Sequence, residues 1–316
     1  MKNQLPKQFV VNPDIAQAQE NHVPIVALES TVITHGLPYP DNLNLALDME
    51  KIIRDRGAVP ATIGVIGGKI HIGLSSDQLN FLAKGEVPVR KVGARDLGVV
   101  IARGENGGTT VSGTLVLAHW AGIKVFSTGG IGGVHRGSGI DISADLPELG
   151  RTPMAVVCAG AKAILDLPAT LEYLETTGVP VVGYQTDEFP AFYSRSSGMK
   201  AQVRVDSPEE VVDIANAQWA LNIQRAVLVV NPVPQEEAIL PEEVEKHIRQ
   251  ATKEAEEQNI TGYRVTPFLL KRVSELSGGK SLKANLALLK NNARVGADIA
   301  IAFQKLAPPH GKFSSV

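Results

Sequence analysis

Short runs of consecutive apolar residues recur along this chain, and segments with helical spacing separate them. A strand with one solvent-exposed face alternates polar and apolar residues, so an unbroken apolar run predicts a strand buried on both faces. Such strands are typical of a largely parallel sheet covered by helices. The sequence therefore predicts an α/β protein: a single three-layer α/β/α sandwich around a largely parallel, mixed sheet. The predicted strands include Val23–Leu28, Val99–Ala102, Val125–Ser127, Met154–Cys158, Val179–Tyr184 and Ala226–Val230.

Turn residues and helical periodicity divide the chain between these strands. Gly67 and Gly68 join two β-prone runs and predict a hairpin, and residues 106–110 predict a turn that leads into a helix from Val111. We found no internal repeat and no composition break. The predicted organisation is an N-terminal arm or short surface helix over residues 1–22, one α/β domain over residues 23–307 and a C-terminal tail over residues 308–316.

Composition excludes several classes of protein. The chain has 316 residues, 44% of them hydrophobic, with a formal net charge of −2, so it has no basic excess for nucleic acid or for a polybasic membrane contact. Cys158 is the only cysteine, which excludes a disulfide or a thiolate zinc site within one chain. We therefore expect a cytoplasmic protein in a reducing compartment, acting on a small molecule.

The glycine-rich stretch Ser127–Gly137 follows a predicted strand. It does not match the dinucleotide fingerprint G-x-G-x-x-G, because the third position counted from Gly130 and Gly132 is His135. Consecutive glycines can instead form a nest of N–H groups that binds an anion. The alternative is an ordinary glycine-rich turn. The flanking donors Thr128, His135 and Arg136 favour the anion site.

Asp141 and Asp145 follow the glycines and stand four residues apart. On a helix they would share a face, and in a loop they could converge on one ion. Oxygen ligands without cysteine suit Mg²⁺ or Mn²⁺. In the alternative, one aspartate caps a helix and the other is solvated, and spacing alone favours this second interpretation.

Lys162 and Glu29 are the candidate catalytic side chains. Lys162 follows Ala-Gly-Ala at a predicted helix start after a strand, where burial and the positive helix end both disfavour a protonated amine. Such a position suits a nucleophile, although an exposed first-turn lysine is the simpler alternative. Glu29 stands at the end of a predicted strand and is a candidate general acid; otherwise it is a capping or ion-pairing carboxylate.

Several polar residues carry no sequence signal that separates a site from a surface. They are Lys91, Arg95, His35 and Asn285. Cys158 lies within an apolar strand and is predicted to be a small core residue.

Beyond these separate signals, long motifs occur in order over residues 23–303. Together they resemble the pseudouridine-5′-phosphate glycosidases, the indigoidine-synthase-A-like family. The motifs include ALESTVITHGLP (27–38), KVGARDL (91–97), TTVSGT (109–114), FSTGGIGGVHRG (126–137), DISADL (141–146), VVCAGAKAILDL (156–167) and SLKANLALLKNNA (281–293).

The resemblance implies an activity and a set of roles. The family splits pseudouridine 5′-phosphate with water into uracil and ribose 5-phosphate, reversibly. By resemblance Glu29 is the proton donor, Lys162 the nucleophile and Asp141 the Mn²⁺ ligand. The resemblance also implies a homotrimer with one Mn²⁺ per subunit. The implied substrate contacts are Lys91, Thr128 and His135 at the phosphate, Asn285 at the base, and Val111, Ser143, Ala144 and Asp145 elsewhere.

Two other functions stay open at this point. One is a Schiff-base lyase or aldolase that acts on another sugar phosphate through Lys162. The other is a non-catalytic phosphosugar-binding accessory protein, which would bind the ligand and release no product.

Overall fold

The structure is a computed structural model that describes residues 5–137, 141–260 and 265–306. The predicted C-terminal tail lies outside these ranges. Thirteen strands occur within them: β1 (Phe9–Val11), β2 (Ile25–Leu28), β3 (Val59–Ile66), β4 (Lys69–Ile72), β5 (Val89–Val92), β6 (Asn106–Thr109), β7 (Val125–Ser127), β8 (Val134–His135), β9 (Ala155–Cys158), β10 (Leu165–Asp166), β11 (Val181–Tyr184), β12 (Val203–Val205) and β13 (Val227–Val230).

Eleven α-helices lie within the same described ranges. Their bounds are α1 (Pro13–Glu20), α2 (Asp41–Asp55), α3 (Ser76–Lys84), α4 (Leu97–Ala102), α5 (Val111–Trp120), α6 (Asp145–Leu149), α7 (Leu167–Thr176), α8 (Pro208–Ala220), α9 (Pro241–Glu257), α10 (Val265–Leu276) and α11 (Lys280–Lys305).

One large mixed sheet forms the centre of the protein. Its main path has the order β1-β4-β3-β2-β7-β9-β13-β11-β12, with β6 paired to β3 and β5 paired to β6. The pairs from β3 through β2, β7, β9, β13 and β11 to β12 are all parallel, whereas β3–β4 and β3–β6 are antiparallel. Helices flank the sheet, so the predicted α/β class with a largely parallel, mixed sheet is confirmed.

The central strands are buried because their sequences are apolar on both faces. Every residue of β9, β11 and β13 is buried, and α11 packs across β2, β7 and β9 while also contacting α2 and α8. Covering a strand of three or four apolar residues on both sides removes it from water entirely, which is the main stabilising term for such a sheet.

Parallel pairing brings the carboxyl ends of neighbouring strands to one edge of the sheet. Leu28 of β2 pairs with Ser127 of β7, and Ser127 pairs in turn with Val157 of β9. The segments that begin at Glu29, Thr128 and Ala159 therefore leave the sheet side by side. Open α/β sheets place their ligands at this edge.

The predicted strand over Val99–Ala102 is wrong, because these residues lie in α4. Val100 is buried and Val99 is 43% exposed, while Leu97 and Ile101 pack beside Val100. Positions 97, 100 and 101 have helical spacing. An apolar run of four residues cannot distinguish a short helix from a buried strand.

The predicted turn over residues 106–110 is also wrong, because Asn106–Thr109 forms β6. Its two glycines allow close packing rather than a turn. A Cβ atom at Gly107 would overlap Val92 Cγ2, and one at Gly108 would overlap Thr34 Oγ1. Strand glycines often mark such close approaches.

The N-terminal segment contains the short helix that was one of its two predicted forms, and a strand that its polar composition did not indicate. β1 pairs in parallel with β4, and Ile15 of α1 is buried. Among the helices of the described ranges, none combines the length and apolar composition that a bilayer span requires. The domain boundaries stay a prediction.

Candidate active site

A cavity of about 1010 Å³ opens at the carboxyl edge of the sheet. It collects nine of the eleven residues predicted for the site: Glu29, Lys91, Val111, His135, Asp141, Ser143, Ala144, Asp145 and Lys162. A second cavity of about 820 Å³ lies between α7 and β11, and none of the predicted residues lines it. The residues chosen from the sequence thus converge on one cavity from five different parts of the chain.

Glu29 is the first residue after β2 and is half-buried in the cavity wall. Its Oε1 accepts a hydrogen bond from the Thr128 hydroxyl, which extends from the neighbouring strand end. Burial raises the pKa of Glu29 above the ordinary glutamate value, against the opposing effects of Lys162 and of the Thr128 hydroxyl. A carboxyl group that retains its proton to higher pH is suited to act as a general acid.

Lys162 lies in a loop, so the predicted helix start at residues 160–162 is wrong. The following helix is α7, which begins at Leu167 with the Asp166 side chain as its cap. The positive helix end invoked for Lys162 is therefore absent. Backbone bonds fix the loop instead: Lys162 N–H donates to the Ile131 carbonyl (3.1 Å), and the Lys162 carbonyl accepts from Leu165 N–H (3.0 Å).

Lys91 and His35 add nitrogen groups to the same cavity. Lys91 is half-buried on β5, and burial followed by the nearby Lys162 side chain lowers the pKa of Lys91. Burial and then the Lys91 charge lower the pKa of His35, whose Nδ1 lies 2.7 Å from the Thr34 hydroxyl. Lys91 and Lys162 both line this cavity. Two lysines in one cavity suit a ligand with more than one negative charge, such as a phosphate ester.

Several N–H groups of the glycine-rich stretch after β7, where an anion-binding nest is predicted, are hydrogen-bonded within the protein. The N–H groups of Thr128 and Ile131 donate to the carbonyls of Val157 and Gly160, and that of Gly132 donates to Asp145 Oδ2 (2.8 Å). The glycines permit close packing: a Cβ atom at Gly132 would overlap the Ser143 hydroxyl, and one at Gly133 would overlap the Thr170 hydroxyl. These bonded N–H groups are not available to an anion.

Arg136, predicted as a flanking donor for an anion, is committed to the protein itself. Its guanidinium donates to the carbonyls of Leu165 (3.2 Å) and Ala163 (3.1 Å), and forms an ion pair with Glu245 of α9 (2.9 Å). Residues 163–165 follow Lys162 directly. Arg136 thus fixes the loop that carries the candidate nucleophile.

Asp145 is buried and accepts two backbone hydrogen bonds. Its Oδ1 accepts from Ser112 N–H (2.9 Å) in the first turn of α5, and its Oδ2 accepts from Gly132 N–H. One aspartate of the pair therefore caps a helix, as the alternative interpretation proposed, although the helix is α5 rather than its own. Both carboxylate oxygens are engaged, so Asp145 joins the α5 start to the glycine-rich stretch.

Replacing Asp145 by alanine is expected to destabilise the fold by about 2–4 kcal/mol, because two backbone donors would lose their acceptor. Urea unfolding followed by circular dichroism measures this loss. Asp145→Asn keeps one amide oxygen as an acceptor, so we expect a smaller loss. Equal stability of the wild type and Asp145→Ala would contradict the assigned role.

Asp141 is exposed on the cavity wall, and its backbone carbonyl accepts from His135 N–H (2.9 Å). In residues 5–137, 141–260 and 265–306, no three His, Cys, Asp or Glu side chains converge as a metal site. Because Asp145 is engaged by backbone donors, Asp141 is the free carboxylate of the pair. The donor set fits a hard cation held by one carboxylate, with water and substrate completing the shell.

Thr128 and Asn285 are the two predicted residues that do not line this cavity. Thr128 is fully buried and uses its hydroxyl on Glu29. Asn285 is half-buried on α11. Conversely, the cavity includes His35, Arg95 and Ser112, which sequence analysis did not select. None of them carries a separate sequence signal for a site, and only the fold brings them to this edge.

The family model described as "Indigoidine synthase A like protein" matches residues 14–302. The chain belongs to this family. It is 56% identical over 294 residues to the pseudouridine-5′-phosphate glycosidase of Geobacillus kaustophilus, covering 92% of this chain and 97% of that protein. The enzyme of the same name from Caldanaerobacter subterraneus is 53% identical, covering 94% and 97% of the two chains.

Two solved structures share the fold. A crystal structure of an indigoidine synthase A-like protein from Thermotoga maritima has a TM-score of 0.86 at 38% identity, covering 94% of this chain and 96% of that one. The prealnumycin C-glycosynthase AlnA, in complex with ribulose 5-phosphate, has a TM-score of 0.88 at 40% identity, covering 95% and 98%.

Proposed function

We propose that this protein cleaves the carbon–carbon bond between ribose C1′ and uracil C5 of pseudouridine 5′-phosphate, releasing uracil and ribose 5-phosphate. The observation that carries this function is one cavity with a carboxyl of raised pKa, Glu29, near the primary amine of Lys162. Relatives that are more than half identical along nearly the whole chain bear the name of this activity.

Cleavage of a carbon–carbon bond explains why a lysine is needed. Ordinary glycosidases use two carboxyl groups and protonate a leaving oxygen. Here the leaving atom is carbon and has no lone pair to accept a proton. A lysine amine bonded to C1′ solves the problem, because its nitrogen lone pair forms the C1′=N bond of an imine as the C1′–C5 bond breaks.

The reaction uses Glu29 for proton transfer and Lys162 as the nucleophile. Glu29 gives its proton to the ring oxygen as the C1′–O bond breaks, and the Lys162 amine forms a bond to C1′. The lysine nitrogen bonded to C1′ then returns one proton to the Glu29 carboxylate, and this proton passes to uracil C5. As the C1′–C5 bond breaks, the nitrogen lone pair forms the C1′ imine. Water hydrolyses the imine to free ribose 5-phosphate and the lysine amine. Every step is reversible, so the same site can form the bond.

The phosphate group of the substrate lies away from the reacting carbon in this proposal. Lys91 and His135 bind it from the cavity wall, and Val111, Ser143, Ala144 and Asp145 line the remaining substrate surface. Binding energy at the phosphate positions C1′ against Lys162. A contact between Asn285 and the base stays a prediction, as does a direct role for Thr128 at the phosphate.

A uracil assay tests this function directly. The protein is incubated with pseudouridine 5′-phosphate, and products are separated by chromatography. Uridine 5′-phosphate, which differs in its bond to the base, is the matched control and should not react. Cleavage of a different sugar phosphate without uracil release would favour the Schiff-base lyase. Tight binding without any product would favour the accessory protein.

We propose that Asp141 holds one Mn²⁺ per subunit, with other divalent ions as substitutes. When bound, the ion supplies a Lewis acid or template for water and for the carbonyl oxygens of the base. Asp141→Asn should weaken Mn²⁺ binding at least about tenfold, since it removes the protein's carboxylate ligand. Electron paramagnetic resonance of free Mn²⁺ measures the affinity of chelator-treated protein without reference to activity.

A second cavity carboxylate provides the control for the metal experiment. Asp96 also lines the cavity, where its Oδ2 accepts from Gly93 N–H (3.0 Å). Asp96→Asn should therefore bind Mn²⁺ like the wild type. Unchanged affinity in Asp141→Asn would remove the metal assignment and leave the lysine chemistry intact.

We also propose that the protein works as a homotrimer in the cytoplasm, as its family resemblance implies. Light scattering coupled to size-exclusion chromatography measures the assembly, and a mass of one or two chains would contradict it. Cell fractionation tests the location.

A further inference from the structure

Two asparagines form a buried hydrogen-bonded pair beneath the active-site edge of the sheet. Asn292 of α11 is fully buried, and its Nδ2 donates to the carbonyls of Thr128 (2.8 Å) and Gly129 (3.4 Å). Its Oδ1 accepts from Nδ2 of Asn231 (3.0 Å), which is 5% exposed. Neither asparagine lines the cavity. Burying two amide groups costs free energy unless both are hydrogen-bonded. A buried, fully hydrogen-bonded pair therefore indicates a specific structural role.

The bonds of this pair lead to both candidate catalytic residues. Thr128, whose carbonyl binds Asn292, donates its hydroxyl to Glu29. Asn231 follows β13, and its N–H donates to the carbonyl of Cys158 (2.8 Å), the last residue before the loop that carries Lys162. The asparagine pair therefore joins the carboxyl ends of β7, β9 and β13 to one helix.

We propose that Asn292 is a positioning residue: it holds the backbone of Thr128 so that the Thr128 hydroxyl stays on Glu29. This hydrogen bond fixes the direction of the carboxyl group from which a proton must be delivered. The catalytic consequence rests on the proposed function, whereas the positional part rests on the hydrogen bonds alone. Asn231 supports the same arrangement by fixing which way the Asn292 amide points.

The charged groups around Glu29 set the sign of the expected effect. Lys162 and Lys91 favour its ionised form, Asp145 disfavours it, and the Thr128 hydrogen bond also favours ionisation. Burial raises the pKa of Glu29, and loss of the Thr128 hydrogen bond removes one of the interactions that oppose this increase. The pKa of Glu29 should therefore rise when Asn292 can no longer hold Thr128.

The test compares two neighbouring asparagines of α11. Asn292→Leu removes the donor to Thr128, and Asn291→Leu is the matched control, because Asn291 donates to the Pro232 carbonyl (3.4 Å) and has no bond to Thr128. Carboxyl ¹³C NMR of substrate-free protein follows the titration of Glu29, whose signal is identified by its absence in Glu29→Gln. We expect an upward shift of about one pH unit in Asn292→Leu, the size of one hydrogen bond to a charged group, and no shift in the control.

Coupling between residues separates positioning from a general loss of packing. Thr128→Val removes the hydroxyl itself, so it should shift Glu29 in the same direction, and adding Asn292→Leu should shift it no further. The value of kcat should fall about tenfold in Asn292→Leu, with KM changed less than about twofold. If Asn292→Leu does not fold, Asn231→Ala removes only the bond that orients Asn292 and should give a smaller shift in the same direction.

An unchanged Glu29 titration in Asn292→Leu, or in Asn231→Ala where that variant takes its place, would overturn the proposal. Equal shifts in Asn292→Leu and Asn291→Leu, or additive shifts in the double variant, would do the same. The titration uses no substrate, so its outcome is independent of the uracil assay. A wild type that releases no uracil would refute the proposed function and leave this test standing.

Discussion

Replacing Lys162 by methionine is expected to reduce uracil release by about 10⁴-fold or more, because it removes the amine assigned to form the C1′ imine. Methionine keeps most of the aliphatic length and removes the amine. Calorimetry with ribose 5-phosphate should show that the variant still binds, since Lys91 and His135 remain in the cavity. Retained turnover would eliminate imine chemistry from this protein.

A chemical trap identifies the reacting nitrogen. Borohydride added during incubation with ribose 5-phosphate should reduce the imine and attach the sugar to Lys162, which peptide mass spectrometry locates. The wild type should gain one reduced ribose 5-phosphate unit per chain, and Lys162→Met none. Lys91→Met is the matched control: it should weaken binding through KM while leaving the adduct on Lys162. An adduct on Lys91 would reverse the two assignments.

The central strands were predictable from sequence because a strand buried on both faces consists of consecutive apolar residues. β2, β7, β9, β11 and β13 all coincide with predicted apolar runs. Val99–Ala102 failed because four apolar residues fit one helical turn as well as a strand, and only tertiary packing decides between them. The predictable part of the fold is therefore the part buried on both faces.

Local sequence signals predicted the position of Glu29 at a strand end correctly. They predicted Lys162 at a helix start, whereas it lies in a loop. Glu29 follows its strand directly, so one strand prediction fixes its position. The helix after Lys162 carries its own start signal four residues later, with Asp166 as the cap and Pro168 in the first turn. Lys162 therefore precedes the helix rather than starting it, and Arg136 and backbone hydrogen bonds hold its loop.

Long-range partners could not be predicted from sequence at all. Asp145 bonds to Ser112 and Gly132, which stand 33 and 13 residues away, and Asn292 bonds to Thr128 at a separation of 164 residues. No local pattern marks these pairs, since each partner is a backbone group present at every position. The functional side chains of the site can therefore be predicted from local sequence. The long-range hydrogen bonds that hold them in place are known only from the fold.

Replacing Glu29 by glutamine is expected to lower kcat for pseudouridine 5′-phosphate by about 10²–10⁴-fold, the usual contribution of a positioned acid. Glutamine retains an oxygen that accepts from the Thr128 hydroxyl, so the fold and KM should change little. Glu105→Gln is the control, because Glu105 also lines the cavity but pairs with Arg90 (2.6 Å). A similar loss in both variants would indicate a general electrostatic effect rather than proton donation.

The pH profile and the borohydride trap separate proton donation from imine formation. The protonated form of Glu29 is the active one, so kcat/KM should fall as pH rises through its raised pKa, and this alkaline limb should disappear in Glu29→Gln. Free ribose 5-phosphate opens its ring in solution and needs no acid for that step. Glu29→Gln should therefore still form the Lys162 adduct from ribose 5-phosphate, but not from pseudouridine 5′-phosphate. Trapping from both compounds would assign ring opening to another group.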